Sequence, residues 1–199
     1  MTVRESISSW LGIRAGSRRG TLVPAFAAAL LFVPGCRSPA ELPPDVPVGT
    51  ELDMRAPALH GQSLDGTAFS LDERSTGPIV LVFYRSAGCG LCRVQLAELE
   101  RHLPSYRQLG VRPVAVTLDP PDVGREMLGR TYGFDIVSVD TATFETWGAL
   151  DPESGVALPL TFILDANGIV RFRYLGRNAS DRVRDAELLT VLQTLDLGR

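Results

Sequence analysis

The chain predicts an α/β domain: a mixed β-sheet flanked by helices, with an N-terminal hairpin extension. Three observations predict it. Apolar runs at Ile79–Tyr84, Val111–Leu118 and Leu160–Leu164 have the length and continuity of strands buried on both faces. Between them lie stretches whose apolar residues recur at helical spacing, such as Leu96, Leu99, Leu103 and Tyr106. The turn pairs Asp65-Gly66 and Asn167-Gly168 mark hairpins near the two ends of the series.

In chain order, Ala56-Pro57 and Leu64–Leu71 read as an opening hairpin in which Phe69 and Leu71 alternate. Ile79–Tyr84 follows Gly77-Pro78 as a central strand. A helix from Leu91 to about Leu109 comes next, and Pro104 is expected to kink or break it near its end. After the strand Val111–Leu118, Pro120-Pro121 restarts a helix running to about Thr131 or Tyr132. Ile136–Val139 is a short strand, and Thr143–Leu150 a short helix that carries Phe144 and Trp147 into the core. Leu160–Leu164 turns at Asn167-Gly168 and returns antiparallel as Ile169–Leu175. Asp181 to about Leu195 closes the chain as an amphipathic helix with Leu188, Leu189, Leu192 and Leu195 as its stripe.

At 199 residues the chain holds one domain plus extras. Its 45% hydrophobic and 22% charged residues suit a protein with a real core. All 20 basic residues are arginine. From residue 36 onward, 16 arginines face 22 acids, a formal charge of −6. An acidic remainder without basic runs argues against nucleic acid as a partner.

The first fifty residues read as an address. Residues 1–20 are polar and basic, and Thr21–Gly35 is charge-free and apolar. Fifteen residues bounded by Pro24 and Pro34 fall short of the roughly 20 that span a bilayer. A basic region, a short apolar region and a small residue before the cut describe a signal peptide over 1–35. Val33-Pro34-Gly35-Cys36 resembles a bacterial lipobox, which implies lipidation of Cys36 as the mature N-terminus. An ordinary signal peptide or an uncleaved anchor is the alternative. Arg18-Arg19 resembles a twin-arginine signal, or is simply part of a basic leader. Residues 36–50 hold Pro39, Pro43, Pro44 and Pro47 and read as a stiff tether, leaving 51–199 as the folded domain. The expected location is the cell envelope, membrane-anchored and facing the extracytoplasmic side.

The chemistry centres on Cys89-Gly90-Leu91-Cys92, placed where a strand hands over to a helix. A thiol at a helix N-terminus meets the positive end of the helix dipole and free backbone N–H groups, which favour a thiolate. The second thiol, one turn in, can close a disulfide on the first. The Gly90-Leu91 spacer offers no charge or histidine to stabilise a thiolate, which points to a reducing poise. A zinc site would need two more ligands, and only His60, His102 and the distant Cys36 are on offer; no metal or other cofactor is expected. Haem attachment would need histidine where Arg93 stands.

Four stretches carry a family resemblance: Val80–Arg85, Cys89–Cys92, Leu158–Asp165 and Asn167–Val170. Through them the domain resembles the thioredoxin-fold redoxins of the alkyl hydroperoxide reductase and thiol-specific antioxidant family, in particular a peroxiredoxin-like branch with a CxxC pair. The resemblance implies Cys89 as the attacking thiol and Cys92 as the resolving one. It implies a cis proline at Pro159 against the pair, and a substrate edge there that includes Leu158 and Thr161. Arg85 and Ser86, next to the cysteines, are further candidates for substrate contact.

Two activities and one inert reading follow. Thiol–disulfide exchange with a disulfide-bearing or dithiol protein needs only the fold, the cysteine pair and Pro159. A peroxidase reducing hydrogen peroxide or alkyl hydroperoxides at Cys89 would match the peroxiredoxin Pro-x-x-x-Thr/Ser-x-x-Cys loop. Ser86 and Cys89 fit its second half, but Val82 stands at the proline position and the downstream arginine is missing near Pro159. A redox-inert binding module is the third reading. Exchange is the expectation, with the upstream electron donor unidentified. His60, His102 and the acids Glu98 and Glu100 are expected on the surface.

Overall fold

The computed structural model describes residues 50–71 and 77–198. The leader, Cys36 and nearly all of the tether lie outside the described residues. Among the described residues, seven strands and four helices follow one another. They are β1 (Leu59–Ser63), β2 (Ala68–Leu71), β3 (Ile79–Phe83), α1 (Gly90–Gln108), β4 (Arg112–Thr117), α2 (Pro121–Leu128), β5 (Asp135–Ser138), α3 (Thr141–Thr146), β6 (Leu160–Leu164), β7 (Val170–Leu175) and α4 (Asp185–Thr194).

One mixed sheet holds the strands in the order β2-β1-β5-β4-β3-β6-β7. β3 pairs parallel with β4 and antiparallel with β6, so it is flanked on both sides. All five of its residues are buried. The two-residue period of a strand then divides them. Ile79, Leu81 and Phe83 join the core on one face with Phe144, Trp147 and Phe162. Val80, Val82 and Tyr84 join the other with Cys92, Leu96, Leu99, Leu188 and Leu192. The opening hairpin is part of the sheet rather than an appendage, because β1 also pairs antiparallel with β5. No described helix is long and apolar enough to cross a membrane.

The elements follow the expected order, and each of the four helices differs from expectation in one respect for a physical reason. α1 runs through Pro104 without breaking. Pro104 is exposed, while Leu103 and Tyr106 beside it are buried, so packing of the inner face holds the helix across the missing N–H. α2 stops at Leu128, three residues early, because Gly129 takes the left-handed conformation at φ 62° and caps it. α3 begins at Thr141, where the Asp140 carboxylate accepts the Thr143 N–H at 2.8 Å, and it ends before the Gly148 turn. α4 begins at Asp185, not Asp181; residues 182–184 are extended chain lying against α1.

Candidate active site

The site is built at the carboxyl end of β3. Tyr84 continues the pairing beyond the strand, donating its N–H to Val116 O at 2.9 Å. Ala87 is fully buried, and its N–H donates to Asp119 Oδ2 at 2.6 Å. Asp119 follows β4, so the neighbouring strand braces the cysteine loop. The Cys89 N–H donates to Ser86 O at 3.1 Å, and Cys89 becomes the N-cap of α1. Gly88 leaves room for Met127 Cε, which would lie 2.8 Å from any added Cβ. Asp119→Ala would leave the buried Ala87 N–H unpaired, costing about 1–3 kcal/mol; Asp119→Asn keeps an acceptor and costs less. Urea unfolding of the two variants checks the order.

Cys89 and Cys92 are both free thiols. Cys89 is half-buried, and Cys92 is fully buried one turn along α1. Burial pushes the Cys89 thiol up. The Cys92 thiol, the Cys92 N–H, the Arg182 charge and the Leu91 N–H outweigh it, and the net effect is a thiol below its ordinary value. No capping hydrogen bond closes on the sulfur, so the N–H groups act through their dipoles.

Arg182 was not legible in the sequence. It lies 90 residues from Cys92, yet its Nη2 reaches Cys92 Sγ at 3.4 Å. Nη1 donates to Gln95 Oε1, and Nε donates to Ala179 O at 2.9 Å. Gln95 is itself buried. One further polar group is enclosed here. The Tyr84 hydroxyl is buried without a hydrogen-bond partner, and burial pushes its phenol up.

The other residues named from sequence take varied places. β6 begins beside the end of β3, with Leu160 opposite Phe83, so Pro159 sits at the same end of the sheet as the cysteine loop. Pro159 is buried and Leu158 half-buried. The expected cis bond is absent: among the described residues every peptide bond is trans. Trans is intrinsically favoured even before proline. The Leu158 N–H donates to Ala149 O at 2.8 Å, and Pro159 O accepts from the Gly176 N–H at 2.7 Å. Thr161 is buried within β6 opposite Val82, on the interior of the sheet and not on an open substrate edge. Arg85 is exposed and Ser86 half-buried. His102 is not a plain surface residue, since its Nδ1 lies 3.3 Å from Asp185 Oδ2 between α1 and α4. His60 is exposed beside Ser70. Phe144 and Trp147 are fully buried, as core residues should be.

A dithiol at the junction of a buried strand and a helix, outer sulfur accessible and inner sulfur enclosed, defines a thioredoxin-like thiol oxidoreductase. Residues 52–173 match the AhpC/TSA family, and the chain belongs to that family. It is 27% identical over 121 residues to alkyl hydroperoxide reductase E of Mycobacterium bovis and of Mycobacterium tuberculosis, spanning 59% of this chain and 78% of those relatives. Among solved structures, peroxidoxin BcpB of Mycobacterium tuberculosis superposes with a TM-score of 0.65 at 18% identity, covering 74% of this chain and 99% of that one. The reduced 2-Cys peroxiredoxin of Plasmodium vivax gives 0.64 at 15% identity, covering 71% and 80%.

Proposed function

We propose that the protein is a thiol–disulfide oxidoreductase of the cell envelope, cycling Cys89 and Cys92 between dithiol and disulfide. The observation that carries this reading is the pair itself: a half-buried Cys89 with a lowered thiol value, over a buried Cys92 one turn away. The Cys89 thiolate attacks a substrate disulfide, forming a mixed disulfide and releasing one substrate thiolate. Cys92, deprotonated, then attacks Cys89 Sγ, closing the Cys89–Cys92 bond and releasing the second substrate sulfur.

The surroundings suit a protein substrate. Leu91 and Val94 on α1 and Met127 on α2 are exposed apolar residues near Cys89. A cleft of about 610 Å³ lined by Leu64, Arg107, Tyr132 and Phe134 has neither cysteine in its walls. Pro159 and Leu158 at the same end of the sheet are the proposed substrate edge, with Arg85 and Ser86 flanking it.

Peroxide reduction at Cys89 is the second reading, favoured by the name of the mycobacterial relatives. Against it stands Val82, fully enclosed in β3 at the place where the peroxidatic loop would have proline.

Turnover with insulin disulfides and dithiothreitol tests the exchange reading. The wild-type protein should accelerate insulin reduction, and a rate equal to dithiothreitol alone would refute exchange. The proposed envelope anchor rests on Val33–Cys36. Mass spectrometry of membrane-extracted protein should show lipidated Cys36 as its first residue; an unmodified Cys36 with residues 1–35 still attached would refute it.

A further inference from the structure

We propose that Arg182 sets the redox poise of the Cys89–Cys92 pair, holding it more oxidising than its uncharged Gly90-Leu91 spacer would be alone. The inference deepens the thiol-exchange reading and rests on the same dithiol.

Placement carries it. The guanidinium is a planar fork, and all three of its nitrogens are engaged: Nη2 with Cys92 Sγ at 3.4 Å, Nη1 with Gln95, and Nε with the Ala179 carbonyl at 2.9 Å. The fork is therefore held over the first turn of α1. The chain that bears it is tied down further along. Val183 is buried, and Asp185 meets His102 at 3.3 Å, so residues 182–185 are laid along α1 from the level of Cys92 to that of His102. Gln95 brings no charge to neutralise the guanidinium. The adjacent carboxylate, Asp181, is engaged by Arg177 at 2.9 Å and by the Tyr174 hydroxyl at 2.5 Å.

A dithiol can carry negative charge, and a disulfide cannot. A fixed cation beside the sulfurs thus stabilises the reduced state relative to the oxidised one, which raises the reduction potential. A spacer without charge predicts a reducing pair; a distant arginine brought to the pair by the β7–α4 connection shifts it the other way.

Equilibration of the full-length protein with glutathione and glutathione disulfide tests the proposal. In that reaction Cys89 and Cys92 lose two electrons and two protons and form one S–S bond. Glutathione disulfide accepts them and yields two glutathione thiols. Arg182→Met should be oxidised more readily, with an equilibrium constant about tenfold higher, equivalent to a potential about 30 mV more negative. Arg182→Lys keeps the charge and should remain closer to wild type than Arg182→Met. Gln95→Leu frees the fork and should shift the constant in the same direction by less. Arg101→Met removes an exposed arginine paired with Glu98 and should leave it unchanged.

The Cys89 alkylation midpoint should rise in Arg182→Met. A folded Arg182→Met protein whose constant stays within twofold of wild type would overturn the proposal. Should Arg182→Met not fold, the Gln95→Leu constant decides, and a constant at the wild-type value would overturn it equally. A shifted constant without insulin turnover would defeat the exchange reading alone; insulin turnover with an unshifted constant would defeat the Arg182 proposal alone.

Discussion

Cys92→Ser should leave a covalent complex with a disulfide substrate that survives non-reducing electrophoresis, whereas Cys89→Ser should abolish exchange, a loss on the order of a thousandfold or more. The asymmetry comes from burial. Cys89 caps α1 at the surface and can meet a substrate, while Cys92 is fully enclosed and can reach only what is already bonded to Cys89. With serine at 92 the first step proceeds and the second has no nucleophile. The pH dependence has a definite sign. Cys89 lies below the ordinary thiol value of 9.0, so its alkylation rate should rise with pH through a midpoint below that value and level off above it. Iodoacetamide labelling of the reduced wild-type protein across pH, with the Cys89 peptide followed by mass spectrometry, reads this midpoint while the Cys92 thiol that helps to lower it is still in place. A trapped complex in Cys89→Ser and none in Cys92→Ser would reverse the assigned roles.

Trp147→Ala should be the most destabilising single core substitution at this end of the sheet, costing about 3–5 kcal/mol. Trp147 is fully buried, with its ring 5.5 Å from Phe83 and 5.1 Å from Phe162, and Phe83 also meets Phe144 edge-on at 5.2 Å. Phe83 and Phe162 belong to β3 and β6, the strands that lead to the cysteine loop and from Pro159. Ala149, just after Trp147, holds the Leu158 N–H through its carbonyl. Loss of the indole therefore loosens both walls of the site as well as the core. Trp147→Phe should cost less, because it retains a ring and removes an indole N–H that has no partner. Urea unfolding midpoints give the order, and exchange rates of the folded fraction show whether the site loosens with the core.

Most of the sheet was legible because its signals are local. Buried strands announce themselves as unbroken apolar runs, and β3, β4 and β6 lie where those runs lie. The Cys89–Cys92 pair was legible for the same reason: two thiols three positions apart at a strand–helix junction need no tertiary knowledge. Helix ends were less legible, because they depend on competition. Gly129 overrode the pattern at the end of α2, and packing of Leu103 and Tyr106 overrode Pro104. Arg182 was illegible. Nothing in its neighbours marks it, and only the antiparallel return of β7 and the docking of the following chain on α1 bring it to a sulfur 90 residues away. Asp119 was hidden likewise, since its hydrogen bond to Ala87 crosses between strands. The Leu158–Pro159 bond shows the opposite hazard. A resemblance carried a conformation that the local hydrogen bonds of this chain do not adopt.

The central claim is that Cys89 serves disulfides in preference to peroxides. Stopped-flow mixing of the fully reduced protein with hydrogen peroxide and a protein disulfide at equal concentrations tests it most directly, with quenched samples analysed for the state of Cys89. The account predicts that mixed disulfide and then the Cys89–Cys92 bond accumulate through the protein substrate, while peroxide is consumed slowly. Rapid peroxide loss with Cys89 passing through a sulfenic acid, and little mixed disulfide, would contradict it.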